Sequence, residues 1–150
     1  MLLTKKKEVM PPNIDYLKQI SQDILDNCID ETCETHVNHY LKNKTEELDK
    51  KQEELYAYYK YLSDELYNED HVEYKDLYDF TKLKTEILPP WIVFPSYSRA
   101  SAGWRQGYGE GYLIIYYAYR NYLSEEELKE YDKKYPIPDY FWSVVDIPWQ

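Results

Sequence analysis

The sequence has no apolar run long enough to cross a bilayer, which takes about 20 residues. Its longest uncharged apolar stretch, GYLIIYYAY at residues 111–119, is far shorter. The first residues, MLLTKKKEVM, contain a basic cluster but lack the apolar core of a secretory signal. We therefore expect a soluble, cytoplasmic protein without a membrane partner.

Cysteine and histidine are scarce, with two and three residues. Four of them stand close together in the sequence: Cys28, Cys33, His36 and His39. On a helix these side chains would spread over about three turns, too far apart for one tetrahedral zinc ion unless the helix breaks between them. A reducing cytoplasm also disfavours a disulfide. We expect neither a metal nor another cofactor.

Motifs of catalysis are missing as well. The sequence has no nucleophile elbow G-x-S-x-G and no zinc-protease pair H-E-x-x-H. All three histidines lie in the first half of the chain, away from the serines at 96, 98 and 101. A fold can unite distant residues, so these absences leave activity open while favouring a protein that is not an enzyme.

Basic residues are outnumbered, 18 against 28 acids, which gives a net charge of -10 and a pI of about 4.8. This balance argues against direct nucleic-acid binding, which depends on lysine and arginine displacing the counterions of phosphates. Residues 1–90 hold 20 acids and 12 bases, and residues 91–150 hold 8 and 6. The acidic field therefore belongs to the first part of the chain.

The length of 150 residues is that of one ordinary domain. A hydrophobic content of 43% argues for a packed core, although charged residues reach 31%. We expect a flexible N-terminus at 1–12 and one globular domain at 13–150, with an acidic helical half (13–88) and a half rich in proline, glycine and aromatics (89–150). The fold class is mainly α, a bundle of four to five helices with a short extended Pro/Trp segment. The alternative is α+β with one small sheet.

Two amphipathic helices are predicted in the acidic half. Asn13 can cap a helix over residues 14–31, whose apolar residues recur at the helical period. A longer helix is predicted over 36–68, unless Asn43 caps a new start and splits it. The following residues, 70–87, favour a third helix, although their alternation also permits a strand.

A leucine seam runs along the second helix, with Leu41, Leu48, Leu55 and Leu62 seven residues apart and Leu66 continuing it. The companion positions carry Thr45, Gln52 and Tyr59, where a self-sufficient coiled coil needs Ile or Val. We therefore expect the seam to pack inside its own domain. A homodimer through it is possible but not favoured.

Prolines and caps divide the second half. Prolines 89, 90 and 95 bracket Trp91–Phe94, which predicts a buried extended segment. Ser124 and Glu127 form a capping box that starts a helix to about Lys134. We expect the closing residues to form an irregular tail over apolar surface.

All four glycines lie in SRASAGWRQGYGEGY, residues 98–112. If the segment is helical, Gly103, Gly107 and Gly111 form a stripe that lets another backbone approach closely, with Trp104 in the core and Arg105 paired with an internal acid. If the helix begins only near Glu110, the segment is a loop that could bind an anion or a protein. The candidate binding residues of this loop are Arg99, Ser101, Trp104, Arg105, Tyr108 and Glu110.

These observations lead to two hypotheses for the function. The first is a partner-binding protein that presents carboxylates and tyrosines to a basic protein surface, in the manner of bacterial or phage inhibitors of the immunity or anti-defence type. Its candidate contact face consists of Glu46, Glu47, Glu53, Glu54, Asp64, Glu65, Glu69 and Asp70. The alternative is a module that binds or transforms a small anionic ligand at residues 99–110.

Overall fold

The computed structural model describes residues 11–33, 36–98 and 101–141. These residues form a mainly helical fold with one two-stranded antiparallel sheet, which confirms the predicted class. The helices and strands are α1 (Ile14–Leu25), β1 (Cys28–Cys33), β2 (His36–Leu41), α2 (Glu46–Leu66), α3 (Pro90–Val93), α4 (Gly107–Tyr122) and α5 (Glu125–Lys134). Short 3-10 turns occupy Tyr74–Asp76, Phe80–Lys82 and Ala102–Trp104.

A β-hairpin interrupts the two helices predicted for the acidic half. Asn13 does cap α1, accepting a hydrogen bond from the amide of Tyr16, but the helix ends at Leu25 instead of residue 31. The chain then turns into β1, which pairs with β2 from Cys28↔Leu41 to Cys33↔His36. The predicted helix over 36–68 is therefore wrong at its start.

α2 begins at Glu46, where the side chain of Thr45, not Asn43, accepts a hydrogen bond from the amide of Leu48. From Leu48 onwards the leucine seam packs inside its own domain, as predicted. Leu48, Leu55, Leu62 and Leu66 are buried against α1, α3 and α4. Burying a leucine contributes roughly 1.5–3 kcal/mol, so the seam is a principal part of the core. Leu41 lies in β2 and is only partly buried.

Residues 67–88 form neither the predicted helix nor the alternative strand. Two 3-10 turns and an isolated bridge between Tyr67 and Tyr78 account for the described structure. At the end of this segment the backbone is buried, and tyrosine hydroxyls take the place of regular hydrogen bonds. Tyr58 Oη accepts from the Leu88 amide at 3.0 Å, and Tyr131 Oη donates to the Ile87 carbonyl at 2.8 Å.

The Pro/Trp segment is buried, as predicted, but it is helical and not extended. Pro90–Val93 forms one α-helical turn, α3, in which Pro90 occupies a first-turn position. Proline suits that position because its fixed φ matches the helix and its missing N–H would have no partner there. Trp91 and Val93 face the core.

α4 is the central helix, as its apolar sequence predicts. Tyr112, Ile115 and Tyr116 are completely buried. The capping box at Ser124 and Glu127 is present and starts α5, which ends at Lys134 as predicted. Within the part of the chain that the structure describes, no helix is both long and apolar enough to span a membrane.

Candidate functional site

The eight carboxylates of the predicted contact face are all exposed, but they do not form one uniform patch. At 100° per residue, Glu46, Glu53 and Asp64 fall within about 20° of one another on the outer side of α2. Lys50 and Lys60 lie among them on the same side. A second row, Glu47, Glu54 and Glu65, runs along the flank of α2 near α1, and Glu69 and Asp70 lie beyond the helix.

Several carboxylates at the start of α2 already have partners. Lys51 bridges Glu47 at 3.3 Å and Asp23 of α1 at 3.2 Å. The hydroxyl of Tyr16 donates to Glu54 at 2.9 Å. Pairs of this kind are worth little to stability, but they offset part of the negative charge at this end of the helix.

The other end of α2 leads into a loop that is both acidic and apolar, residues 67–78, called here the acidic loop. Val72 is 94% exposed, Tyr74 69% and Tyr67 44%. Around them lie exposed carboxylates, namely Glu69, Asp70, Glu73 and Asp76. Clustered exposed apolar side chains with polar neighbours are typical of protein interaction sites.

The acidic loop is held in one conformation by its own hydrogen bonds. Its ends meet at the Tyr67–Tyr78 bridge, where the amide of Asn68 donates to the Leu77 carbonyl at 2.9 Å. The side-chain amide of Asn68 donates to the Asp76 carbonyl at 3.0 Å across the loop. Because these hydrogen bonds already restrict the loop, a partner would bind it with little further loss of conformational entropy.

Five of the six candidate residues of the glycine segment lie in the part of the chain that the structure describes, and they differ in exposure. Arg99 lies outside the described residues. Trp104 is buried, and its indole N–H donates to the Ser98 carbonyl at 2.7 Å, while the Ser101 hydroxyl accepts from the Gly103 amide at 3.3 Å. The remaining three residues, Arg105, Tyr108 and Glu110, are exposed. The predicted pairing of Arg105 with an internal acid is wrong for the described residues, since no ion pair among them includes it.

Close packing explains two of the glycines. A Cβ atom on Gly109 would lie 2.2 Å from the carbonyl oxygen of Gly103, and one on Gly111 would lie 2.0 Å from Tyr59 Oη of α2. α4 begins at Gly107, earlier than the start near Glu110 that a loop requires. Gly107 itself has a φ of +72° and marks the turn into the helix.

Sequence reasoning missed a buried cluster around His39. In the hairpin register Asp30 pairs with His39, and His39 Nδ1 lies 2.6 Å from the Asp30 carboxylate. His39 Nε2 lies 2.6 Å from the carbonyl oxygen of Pro95, and the ring of Tyr140 stacks on the imidazole at 3.8 Å. The signal in the sequence is the alternation of the hairpin, which places Asp30 opposite His39.

This cluster fits a structural clamp better than a reactive site. Through His39, it joins the hairpin to the Pro95 carbonyl, which follows α3, and to the ring of Tyr140, which follows α5. Nearby, burial, together with the negative charge of Asp30, raises the pKa of the Cys28 thiol to about 11. A thiol in that state is a poor nucleophile. Cys28 and Cys33 lie at opposite ends of β1, and no group of metal ligands occurs among the described residues.

Comparison with protein-family models, with curated proteins and with solved structures finds no match for the chain.

Proposed function

We propose that this protein binds another protein, and that the acidic loop with the adjoining end of α2 is the contact surface. The observation that carries the proposal is Val72, an apolar side chain 94% exposed at the tip of an ordered loop. Because the Val72 side chain is almost fully exposed, it contributes almost no hydrophobic stabilisation to its own fold. Contact with a partner would bury it.

The charges around the loop indicate what kind of protein surface would be complementary to it. Glu65, Glu69 and Asp70 are exposed and form no hydrogen bond or ion pair through their carboxylates with another described residue. All three are within a few residues of Tyr67 in the sequence, and the rings of Tyr67 and Tyr74 are exposed. Tyrosines are enriched at interfaces because a large ring and a hydroxyl serve both dry and wet contacts. The complementary partner has a basic surface with an apolar centre.

Binding of this kind would occlude the basic surface of the partner. That is the mode of action of inhibitors of the immunity or anti-defence type, and we assign this protein to the same mode, acting in the cytoplasm of a bacterial or phage-infected cell. The net charge of -10 supports this assignment, because charge complementarity speeds association with a basic partner.

The test compares two double variants in affinity purification from the host lysate. V72S/Y74S removes the two most exposed apolar side chains of the acidic loop. The control, Y122S/I137S, removes exposed apolar side chains of α4 and of the chain after α5. Both variants should remain folded, as judged by circular dichroism.

We expect the wild type to be purified with a stoichiometric companion protein. The control should retain this companion, and V72S/Y74S should lose it. The purified companion should rebind the wild type with an affinity that falls as salt rises, since the contact depends on charge. A companion that binds V72S/Y74S as tightly as the wild type would contradict the proposed surface.

A further inference from the structure

A cavity lies away from the acidic loop, between α1, β2, α2 and the segment after α3. Its volume is about 380 Å³, within the range of pockets that hold small molecules. Its apolar lining comes from three elements: Ile24 of α1, Leu41 of β2 and Leu48 of α2. The cavity is therefore formed by the tertiary fold and is not a gap along one helix.

Gln52 of α2 contributes a polar side chain to the lining of the cavity. The side-chain amide of Gln52 donates through Nε2 to the Val93 carbonyl at 3.0 Å, which fixes the direction of the amide group. Its Oε1 atom is buried and has no hydrogen-bond partner among the described residues. The lone pairs of that oxygen add uncompensated negative potential to the wall of the cavity.

Two tyrosines form the wall beside Gln52. The hydroxyls of Tyr56 and Tyr97 lie 3.4 Å apart, and both side chains line the cavity. Burial, the hydrogen bond with Tyr97 and the nearby charge of Asp49 all raise the pKa of Tyr56. Tyr56 is therefore neutral at physiological pH, and its ring, which also packs against Phe94 and Tyr108, adds an aromatic surface to the cavity wall.

The rim carries more negative than positive charge. Asp49 and Glu53 lie one turn apart on α2, and Lys44 precedes the helix. All three are exposed, and no described ion pair includes any of them. With two carboxylates against one ammonium, the mouth of the cavity favours a positively charged ligand.

We propose that this cavity binds a small organic cation with an apolar body. In this proposal the ammonium group lies near Asp49 and Glu53, beside Tyr56, and the apolar body contacts Ile24, Leu41 and Leu48. This site is separate from the acidic loop and does not depend on the proposed binding of a protein.

The test uses three probes of similar size that differ in charge: 2-phenylethylammonium, 2-phenylethanol and phenylacetate. Each is titrated into the full chain at low salt, and binding is followed through the backbone amide shifts. We expect 2-phenylethylammonium to bind at least about tenfold more tightly than the other two probes. The shifted amides should include those of Gln52 and Tyr97.

Two variants of the rim should change the affinity for 2-phenylethylammonium in opposite directions. D49N/E53Q should weaken its binding at least about threefold, and K44Q should strengthen it. The control, E126Q/E130Q, removes the same charge as D49N/E53Q from α5 and should leave binding unchanged. The proposal would be overturned if the affinities of the three probes lay within twofold of one another. It would also be overturned if 2-phenylethylammonium did not bind at millimolar concentration. Equal affinity in D49N/E53Q and the wild type would overturn it as well.

Discussion

Replacement of Gly109 by alanine distinguishes a packed glycine segment from an open loop by the sign of the stability change. In an isolated or exposed helix, alanine is more favourable than glycine by about 1 kcal/mol. In this fold the new Cβ would lie 2.2 Å from the carbonyl oxygen of Gly103 and 3.2 Å from the Trp104 ring. The obstacle nearest to it is backbone, which cannot rotate away as a side chain can.

We therefore expect Gly109→Ala to destabilise the protein by about 1–3 kcal/mol, the usual cost of overpacking. For a chain of this length the melting temperature should fall by roughly 3–10 °C. Urea unfolding followed by tryptophan fluorescence measures the free energy directly. Gly111→Ala is the matched comparison, because its Cβ meets the hydroxyl end of Tyr59, which can shift. Its cost should be smaller.

A Gly109→Ala variant as stable as the wild type, or more stable, would refute the reasoning. It would mean that the start of α4 does not contact the Gly103 backbone. A larger loss for Gly111→Ala than for Gly109→Ala would contradict the distinction between backbone and side-chain obstacles.

Three further predictions concern the core, a thiol and a helix cap. Leu55→Asp should unfold the chain, since it places a charge at a fully buried position of the leucine seam; a folded, monomeric variant by circular dichroism and light scattering would contradict this. With Cys33→Ser as background, Cys28 should react with a disulfide reagent at pH 8 far more slowly in the native than in the urea-unfolded chain, because its pKa is raised to about 11; equal rates would count against it. Ser124→Ala should cost about 1 kcal/mol by removing the α5 cap. The hydrogen bonds that the Glu127 carboxylate accepts from Ser124 lower the pKa of Glu127, so the stability due to these carboxylate bonds is present above the ordinary carboxyl pKa and is lost as pH falls through the lowered one. Glu127→Gln should reduce that acid sensitivity in urea titrations at successive pH values, and an unchanged pH profile would refute it.

Local signals in the sequence predicted the parts of the fold that depend on neighbouring residues. The Asn13 cap and the capping box at Ser124 each rest on contacts within a few residues along the chain. The leucine seam from Leu48 to Leu66 repeats at the spacing of one helix face, so it can be recognised without knowing that α1, α3 and α4 pack against it. The sign of the exposed charges on α2 also follows from composition. These features need no knowledge of the tertiary structure.

The hairpin could not be predicted in the same way, because distant residues stabilise it. The spacing of Cys28, Val37 and Leu41 fits a helix as well as a strand over so short a stretch. What holds the hairpin against the core includes the bond from His39 to the Pro95 carbonyl, 56 residues away. That contact has no counterpart in a local pattern.

The sequence predicted the acidic residues of the candidate surface but not its exposed apolar residues. Glu69 and Asp70 belong to the predicted acidic face, but Val72 and Tyr74 alternate as in a half-buried strand. Their exposure arises because Tyr67 and Tyr78 close the loop and turn its middle residues outward. Composition and periodicity carry no such information.

Hydrogen exchange of the protein, free and bound to its purified companion, tests the proposed surface most directly. Binding should slow exchange in residues 67–78 and at the end of α2, and should change it little in residues 101–111. Slower exchange confined to residues 101–111, with the acidic loop unchanged, would contradict the proposed surface.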